Sequence, residues 1–240
     1  MRAVPVVFLS GMLADQRMWQ PVIARMDERA RHGAAPTIQP IIPELDAQDN
    51  VVGMARYVLD LVPDRFALVG MSMGGYVAFE ILRMARERVS HLMLVNTRAT
   101  KDDPVMRRRR LLLARLSGRN QPFQGVNDAM LDDMLHPDHR HNRELVGLLS
   151  DMAEDFGEDV FKRQITAVAN RPDSMALLSE LGMPCTVMVG EADRVISPAS
   201  HHEMAGCIPG ATMIDVPKAG HYVPLEQPDI FADALCELVT

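Results

Sequence analysis

The 240-residue chain is 48% hydrophobic and 24% charged, the balance of a soluble domain long enough to bury a substantial core. Its formal net charge of −7 and 5% aromatic content give no basic field or stacking platform for nucleic acid, and no stretch reaches the roughly 18 apolar residues of a bilayer span. The three cysteines, Cys185, Cys207 and Cys236, cannot all pair within the chain and none has a C-x-x-C or Cys/His ligand spacing, which predicts a reducing, cytoplasmic setting without structural metal or cofactor.

In chain order, Arg2, the apolar run Val4 to Leu9 and Ala14 have the outline of a short signal peptide. The charged region is minimal and no A-x-A site follows, so the run fits a strand and turn better. Short apolar runs rich in valine and isoleucine predict strands near Pro5 to Leu9, Thr37 to Ile42, Phe66 to Val69, His91 to Val95, Cys185 to Val189 and Thr212 to Val216. Helical spacing predicts helices at Trp19 to Arg31, Asn50 to Leu61, Met73 to Arg86, Ala199 to Cys207 and Pro228 to Leu238. Pro228 suits a first helical turn, where its missing N–H costs nothing. This alternation predicts an α/β fold, a mostly parallel sheet of about six strands flanked by helices.

The stretch from Thr100 to Glu180 has no strand-like run and reads as amphipathic helices broken by Gly118, Pro122, Gly125, Pro137, Gly157 and Pro172. The predicted organisation is therefore a core from residues 1–99 and 181–240 with a helical insertion at 100–180. Within the insertion, Arg107 to Arg110 lie between the acidic pair Asp102 and Asp103 and Leu111 to Leu113, a context that reads as the solvated edge of a helix.

Gly70-Met71-Ser72-Met73-Gly74 follows the strand Phe66 to Val69 and precedes a helix, the context in which G-x-S-x-G presents a serine hydroxyl above a sheet. Side chains at the glycines would obstruct the close approach of strand and helix, and the helix N-terminus favours negative charge near Ser72. A serine hydroxyl needs a base within hydrogen-bond reach and a third group to hold that base. Asp193 follows the strand Cys185 to Val189 and His221 follows the next strand, so both reach the same carboxyl edge as Ser72. Glu191 and Asp215 are alternative acids, and His32, His91, His136, His139, His141, His201 and His202 are alternative bases. Met12, Met71 and Met73 flank the candidate centre as flexible thioethers suited to an adaptable apolar pocket.

The order Ser72, Asp193, His221, with Gly-Met-Ser-Met-Gly-Gly, Gly-Glu-Ala-Asp-Arg-Val-Ile-Ser-Pro and Gly-His-Tyr-Val-Pro-Leu-Glu-Gln-Pro, resembles the small bacterial α/β-hydrolases across nearly the whole chain. A fourth segment, Phe8-Leu9-Ser10-Gly11-Met12, is similar to the family's oxyanion strand and loop. The resemblance implies an α/β-hydrolase fold with a helical cap, Ser72 as nucleophile, His221 as base, Asp193 as orienting acid, and the backbone N–H groups of Met12 and Met73 as oxyanion donors. Two departures stand out. Ser10-Gly11 replaces the His-Gly of many members, which keeps the N–H donor but changes the side chain available to the turn, and the N-terminal antiparallel hairpin of the full fold is expected to be absent.

The implied activity is hydrolysis of a carboxylic ester or thioester with a small to medium, largely apolar acyl group, a small-molecule substrate with no nucleic-acid or membrane partner. Carbon–carbon bond hydrolases, enol-lactonases and cofactor-free haloperoxidases share the same three residues, and a non-catalytic ligand-binding protein shares the fold. A serine at the elbow argues against the aspartate-dependent dehalogenase and epoxide hydrolase branches.

Overall fold

The computed structural model describes residues 3–118, 123 and 125–240; Arg2 and Pro122, both invoked above, lie outside them. Six parallel strands form one sheet: β1 (Val4–Leu9), β2 (Ile38–Ile41), β3 (Phe66–Met71), β4 (Val89–Val95), β5 (Cys185–Gly190) and β6 (Thr212–Val216). Their spatial order is β2-β1-β3-β4-β5-β6, and every strand pairing among the described residues is parallel. The run Val4 to Leu9 is thus an internal strand, paired with β2 on one side and β3 on the other.

Alternate side chains of each strand point to opposite faces, and the near-continuous apolar runs follow from covering both faces with helices. Val7, Leu9, Leu68 and Leu92 belong to a core shared with α2 (Val51–Leu61), α3 (Met73–Ala85) and α8 (Pro198–Gly206). Val6, Phe8, Val69 and Met93 belong to the opposite core, shared with α1 (Gln20–Arg31) and α10 (Pro228–Val239). Both faces of β3 are consumed in this way, and all six of its residues are buried. No helix among the described residues is long and apolar enough to cross a membrane, and all three cysteines are free.

Between β4 and β5 lie α4 (Pro104–Leu116), α5 (Asp128–Met134), α6 (Arg143–Ala169) and α7 (Met175–Leu178). The glycines read as breakers act as such: Gly118, Gly125 and Gly157 have φ values of 72°, 63° and 70°, and Gly157 kinks α6. Asp103 accepts from the N–H groups of Val105 and Met106 at 2.8 Å, capping α4.

Asp102 does different work from its neighbour. Its fully buried carboxylate takes Arg98 at 2.6 Å, Arg171 at 2.8 Å and Arg110 at 2.8 Å, tying α4 to the end of α6 and to the strand edge after β4. Burial alone pushes its carboxyl up, but the Arg171 hydrogen bond and the three guanidinium charges outweigh that and hold it below the usual carboxylate range. A depressed carboxyl stabilises the fold fully above the unfolded value of about 4, and that stabilisation is lost as pH falls through the folded value. Asp102→Asn is therefore expected to cost about 3 kcal/mol at neutral pH by leaving buried guanidinium charge uncompensated. Urea unfolding should show a smaller gap between variant and wild type below about pH 4 than at pH 7.

Candidate active site

The site forms where the strand order reverses. The connection from β1 runs outward to β2, while β3, β4, β5 and β6 follow on the other side, so the carboxyl ends of β1 and β3 open a crevice between diverging loops. Leu9, the last residue of β1, pairs with Gly70 of β3, which sets the Ser10 to Leu13 loop beside the Ser72 turn.

Ser72 has φ 53° and ψ −114°, a conformation that costs an L-residue on the order of 1–3 kcal/mol and persists only where packing enforces it. Two close approaches enforce it. A Cβ on Gly74 would lie 2.0 Å from the Leu9 carbonyl oxygen, and one on Gly75 would lie 2.3 Å from Thr97 Oγ1. Thr97 Oγ1 donates to the Ser72 carbonyl at 2.8 Å, and the Ser72 N–H donates to the Val95 carbonyl at 3.0 Å.

Ser72 Oγ lies 3.0 Å from His221 Nε2, and His221 Nδ1 lies 2.9 Å from Asp193 Oδ2. The three sequence candidates thus form one hydrogen-bonded chain. Burial pushes the Asp193 carboxyl up, but facing His221, with hydrogen bonds from the histidine, the Ile196 N–H and the Asn96 amide, holds it below its ordinary value. Its second oxygen accepts from Val195 and Ile196 N–H groups at 2.9 and 3.0 Å. An Asp193 kept ionised and fixed in this way selects the tautomer with the proton on Nδ1, leaving Nε2 to accept from serine.

Both alternative acids, and His201 and His202 among the alternative bases, are engaged elsewhere. Glu191 accepts the Lys218 N–H at 2.8 Å and Asp215 meets His202 at 3.0 Å. His201 is buried, with Nδ1 3.0 Å from the Ser197 carbonyl, and its burial disfavours the charged ring.

Four residues complete the arrangement without having been given a part in the site by sequence. Asn96, just beyond β4 with φ 46°, donates its amide to Asp193 Oδ2 at 2.8 Å and to the Gly220 carbonyl at 3.2 Å. A polar residue directly after a buried apolar strand at the same edge was the available signal. Glu226, the last residue of the short helix α9 (Val223–Glu226), accepts from the N–H groups of Gly220, Tyr222 and His136 at 2.9, 3.2 and 2.8 Å, bracketing His221 and joining its loop to the insertion. The His221 N–H itself donates to the Met134 carbonyl at 2.6 Å. The third and fourth are Gln164 and Arg110.

Gln164 of α6 accepts the Leu13 N–H on Oε1 at 2.8 Å and donates Nε2 to the Leu45 carbonyl at 2.8 Å, both buried. Leu13 is held at φ 53°, one residue after Met12. Among the described residues neither the Met12 nor the Met73 N–H donates to another backbone group. Gln164→Leu is expected to lower kcat on the order of 10-fold with little change in KM, because it frees the loop carrying the Met12 N–H without altering the pocket wall. Steady-state kinetics separates this from a binding defect, which would raise KM alone. Ser10, at the position of the family's more usual histidine, accepts the buried Trp19 indole N–H at 2.9 Å, so the turn's side-chain hydrogen bond is made to α1's leading edge.

Ser72 opens into a cavity of about 330 Å³ lined mainly by Met12, Met71, Met73, Met130, Met134 and Phe161, with His221 and Ser72 at its floor. Methionines from the core loops and from α5 of the insertion converge there, so the thioether lining expected at three positions extends to five. Arg110 also lines this cavity. The basic run is thus not uniformly a solvated edge: Arg108 and Arg109 are exposed, whereas Arg110 is turned toward Asp102.

A six-stranded parallel sheet with a serine–histidine–aspartate hydrogen-bonded chain at its switch point defines an α/β enzyme of hydrolase type. The chain belongs to the alpha/beta hydrolase family, whose model matches residues 6–234. It is 23% identical to a pimeloyl-[acyl-carrier protein] methyl ester esterase of Aliivibrio salmonicida, covering 96% of this chain and 90% of that one. Among solved structures it resembles a thermophilic esterase from Thermogutta terrifontis at TM-score 0.86 and 27% identity, covering 99% of this chain and 89% of that one. The enol-lactonase of Burkholderia xenovorans LB400 shares the fold at TM-score 0.83 and 20% identity, with 100% and 92% covered.

Proposed function

We propose that the protein hydrolyses a carboxylic ester or thioester with a small to medium, largely apolar acyl group through an acyl-enzyme on Ser72. The observation that carries this reading is the unbroken chain from Ser72 Oγ through His221 to Asp193, at 3.0 and 2.9 Å, on the floor of a thioether-lined cavity. A ligand-binding protein has no use for such a chain or for the strained serine that begins it. The esterase from Thermogutta terrifontis, at 27% identity over 99% of this chain, favours ester cleavage over the lactone, carbon–carbon and haloperoxidase chemistries that the same groups serve.

In the proposed cycle, His221 Nε2 takes the Ser72 proton as Oγ bonds to the acyl carbon, and Asp193 stabilises the resulting imidazolium. The tetrahedral oxyanion accepts from the Met12 and Met73 N–H groups, aided by the α3 N-terminus. Collapse breaks the bond to the alkoxide or thiolate, which receives the proton from His221. Water then gives a proton to the same nitrogen and attacks the acyl carbon, and the second tetrahedral adduct collapses by breaking the bond to Ser72 Oγ, which takes the proton back from His221 as the acid leaves. The insertion at 100–180 acts as a cap, a reading supported by the α4, α5 and α6 residues on the cavity wall. A cavity of about 330 Å³ is at the small end of ligand sites, which supports a short acyl group. Three unpaired cysteines accord with a cytoplasmic setting.

The test is a p-nitrophenyl ester series from acetate to decanoate followed in the pre-steady state. An initial burst equal to the enzyme concentration, with best turnover at short or medium chains, is expected. Turnover that survives Ser72→Ala would refute the acyl-enzyme.

A further inference from the structure

The cavity wall carries one permanent charge among the described residues. Of the titratable groups lining it, His221 belongs to the reaction centre, the Tyr222 hydroxyl is held neutral with burial raising it to about 12, and Tyr76 lies 4.2 Å beneath the Arg171 guanidinium. The remaining group is Arg110, whose Nε donates to Asp102 Oδ2 at 2.8 Å.

That tether does not neutralise the charge at this end of the cavity. Asp102 is shared by Arg98, Arg110 and Arg171, three cations on one carboxylate. Arg171 spends its terminal nitrogens on the Val168 and Thr100 carbonyls and on Asp102. Asp103 caps α4 and Asp173 accepts the Lys101 and Met175 N–H groups, and among the described residues Arg110 pairs with no carboxylate but Asp102. Among the described residues Arg110 makes no hydrogen bond through its two terminal nitrogens, and its side chain is 25% exposed. A guanidinium anchored through Nε presents those two nitrogens as a fork suited to a carboxylate, and the apolar surroundings strengthen the attraction.

We infer that Arg110 forms an anion subsite for a substrate carboxylate, so that the preferred substrates are half-esters of short dicarboxylic acids. The inference rests on the acyl-enzyme reading above. The carboxylate is assigned to the acyl part, which stays in the cavity through both half-reactions. The apolar methionine wall then packs the methylenes between the scissile carbonyl at Ser72 and the carboxylate at Arg110. The basic run of the sequence acquires a division of labour, with Arg110 facing substrate and its neighbours facing water.

The test compares monoethyl succinate, glutarate and adipate with ethyl butyrate, pentanoate and hexanoate, ethanol release being measured for wild type, Arg110→Met and Arg110→Lys. Wild type is expected to favour at least one half-ester over its neutral counterpart by about 10-fold or more in kcat/KM, the size expected of a charge-assisted hydrogen bond. That ratio should collapse to about 1 or below in Arg110→Met and be partly kept in Arg110→Lys, which retains the charge without the fork. Because each ratio is taken within one protein, loss of folded enzyme cancels from it. Should Arg110→Met fail to fold, the wild-type preference and Arg110→Lys decide the matter. A wild type that prefers the neutral esters, a ratio unchanged in the variants, or a larger preference for the butyrate ester of 3-hydroxypropanoic acid over ethyl butyrate, both followed by butyrate release, would overturn the subsite while leaving the hydrolase reading intact. Hydrolysis undiminished in Ser72→Ala would instead overturn the hydrolase reading on which it depends.

Discussion

Ser72→Ala is expected to lower turnover of any ester the protein accepts by on the order of 10⁵- to 10⁶-fold, with the fold retained. In the proposed cycle the serine hydroxyl is the atom that bonds to the acyl carbon, and among the described residues lining the cavity there is no other serine, threonine or cysteine. His221→Ala should cost a similar factor, and the double variant little more, because the two groups act as one unit. Asp193→Asn should fall by roughly 10⁴-fold. The amide would set an NH₂ group or a neutral oxygen against His221 Nδ1, and either choice loses the carboxylate that now holds the ring at 2.9 Å. Purified variants with unchanged melting temperatures, assayed on one ester, settle these values. A Ser72→Ala activity within 100-fold of wild type would remove serine from the mechanism.

Gly74→Ala is the substitution expected to damage the fold most for its size. The new methyl would sit 2.0 Å from the Leu9 oxygen and 2.5 Å from the Leu9 carbonyl carbon, far inside contact distance, and both partners are backbone of an internal strand. Relief requires β1 and α3 to separate. Such separation opens the packing of Leu9, Met73 and Val77 in one buried core and moves the Ser10 to Leu13 loop away from Ser72. A loss of at least about 4 kcal/mol is expected, in the range reserved for strain that packing cannot absorb. Urea unfolding measures it where soluble protein is obtained; a variant as stable as wild type would mean that the strand and helix do not approach as described.

Strands and helices were legible because β1, β3, β4 and β5 are largely buried on both faces and so appear as near-continuous apolar runs, broken only by Ser90 and His91 at the start of β4 and by Thr186 in β5. The expected bounds shifted by only one or two residues at most ends, as where β4 begins at Val89 and β3 continues to Met71. Ser72, Asp193 and His221 were legible for a topological reason: in a parallel sheet, residues that follow strands all arrive at one edge. Gln164 was not. Its partners Leu13 and Leu45 are 151 and 119 positions away, and a glutamine in an amphipathic helix carries no local mark of that contact. Arg110 was misleading for the opposite reason. Its local context of four successive arginines describes a solvated helix edge, and only the buried Asp102, reached across α4, turns one of the four inward.

Fluorophosphonate labelling with peptide mapping tests the central claim most directly, because the reagent requires an activated serine and no knowledge of the substrate. One adduct per chain on the peptide containing Ser72, lost in Ser72→Ala and reduced to background in His221→Ala, is the predicted result. An unlabelled wild type, or an adduct on another serine that persists in Ser72→Ala, would contradict it.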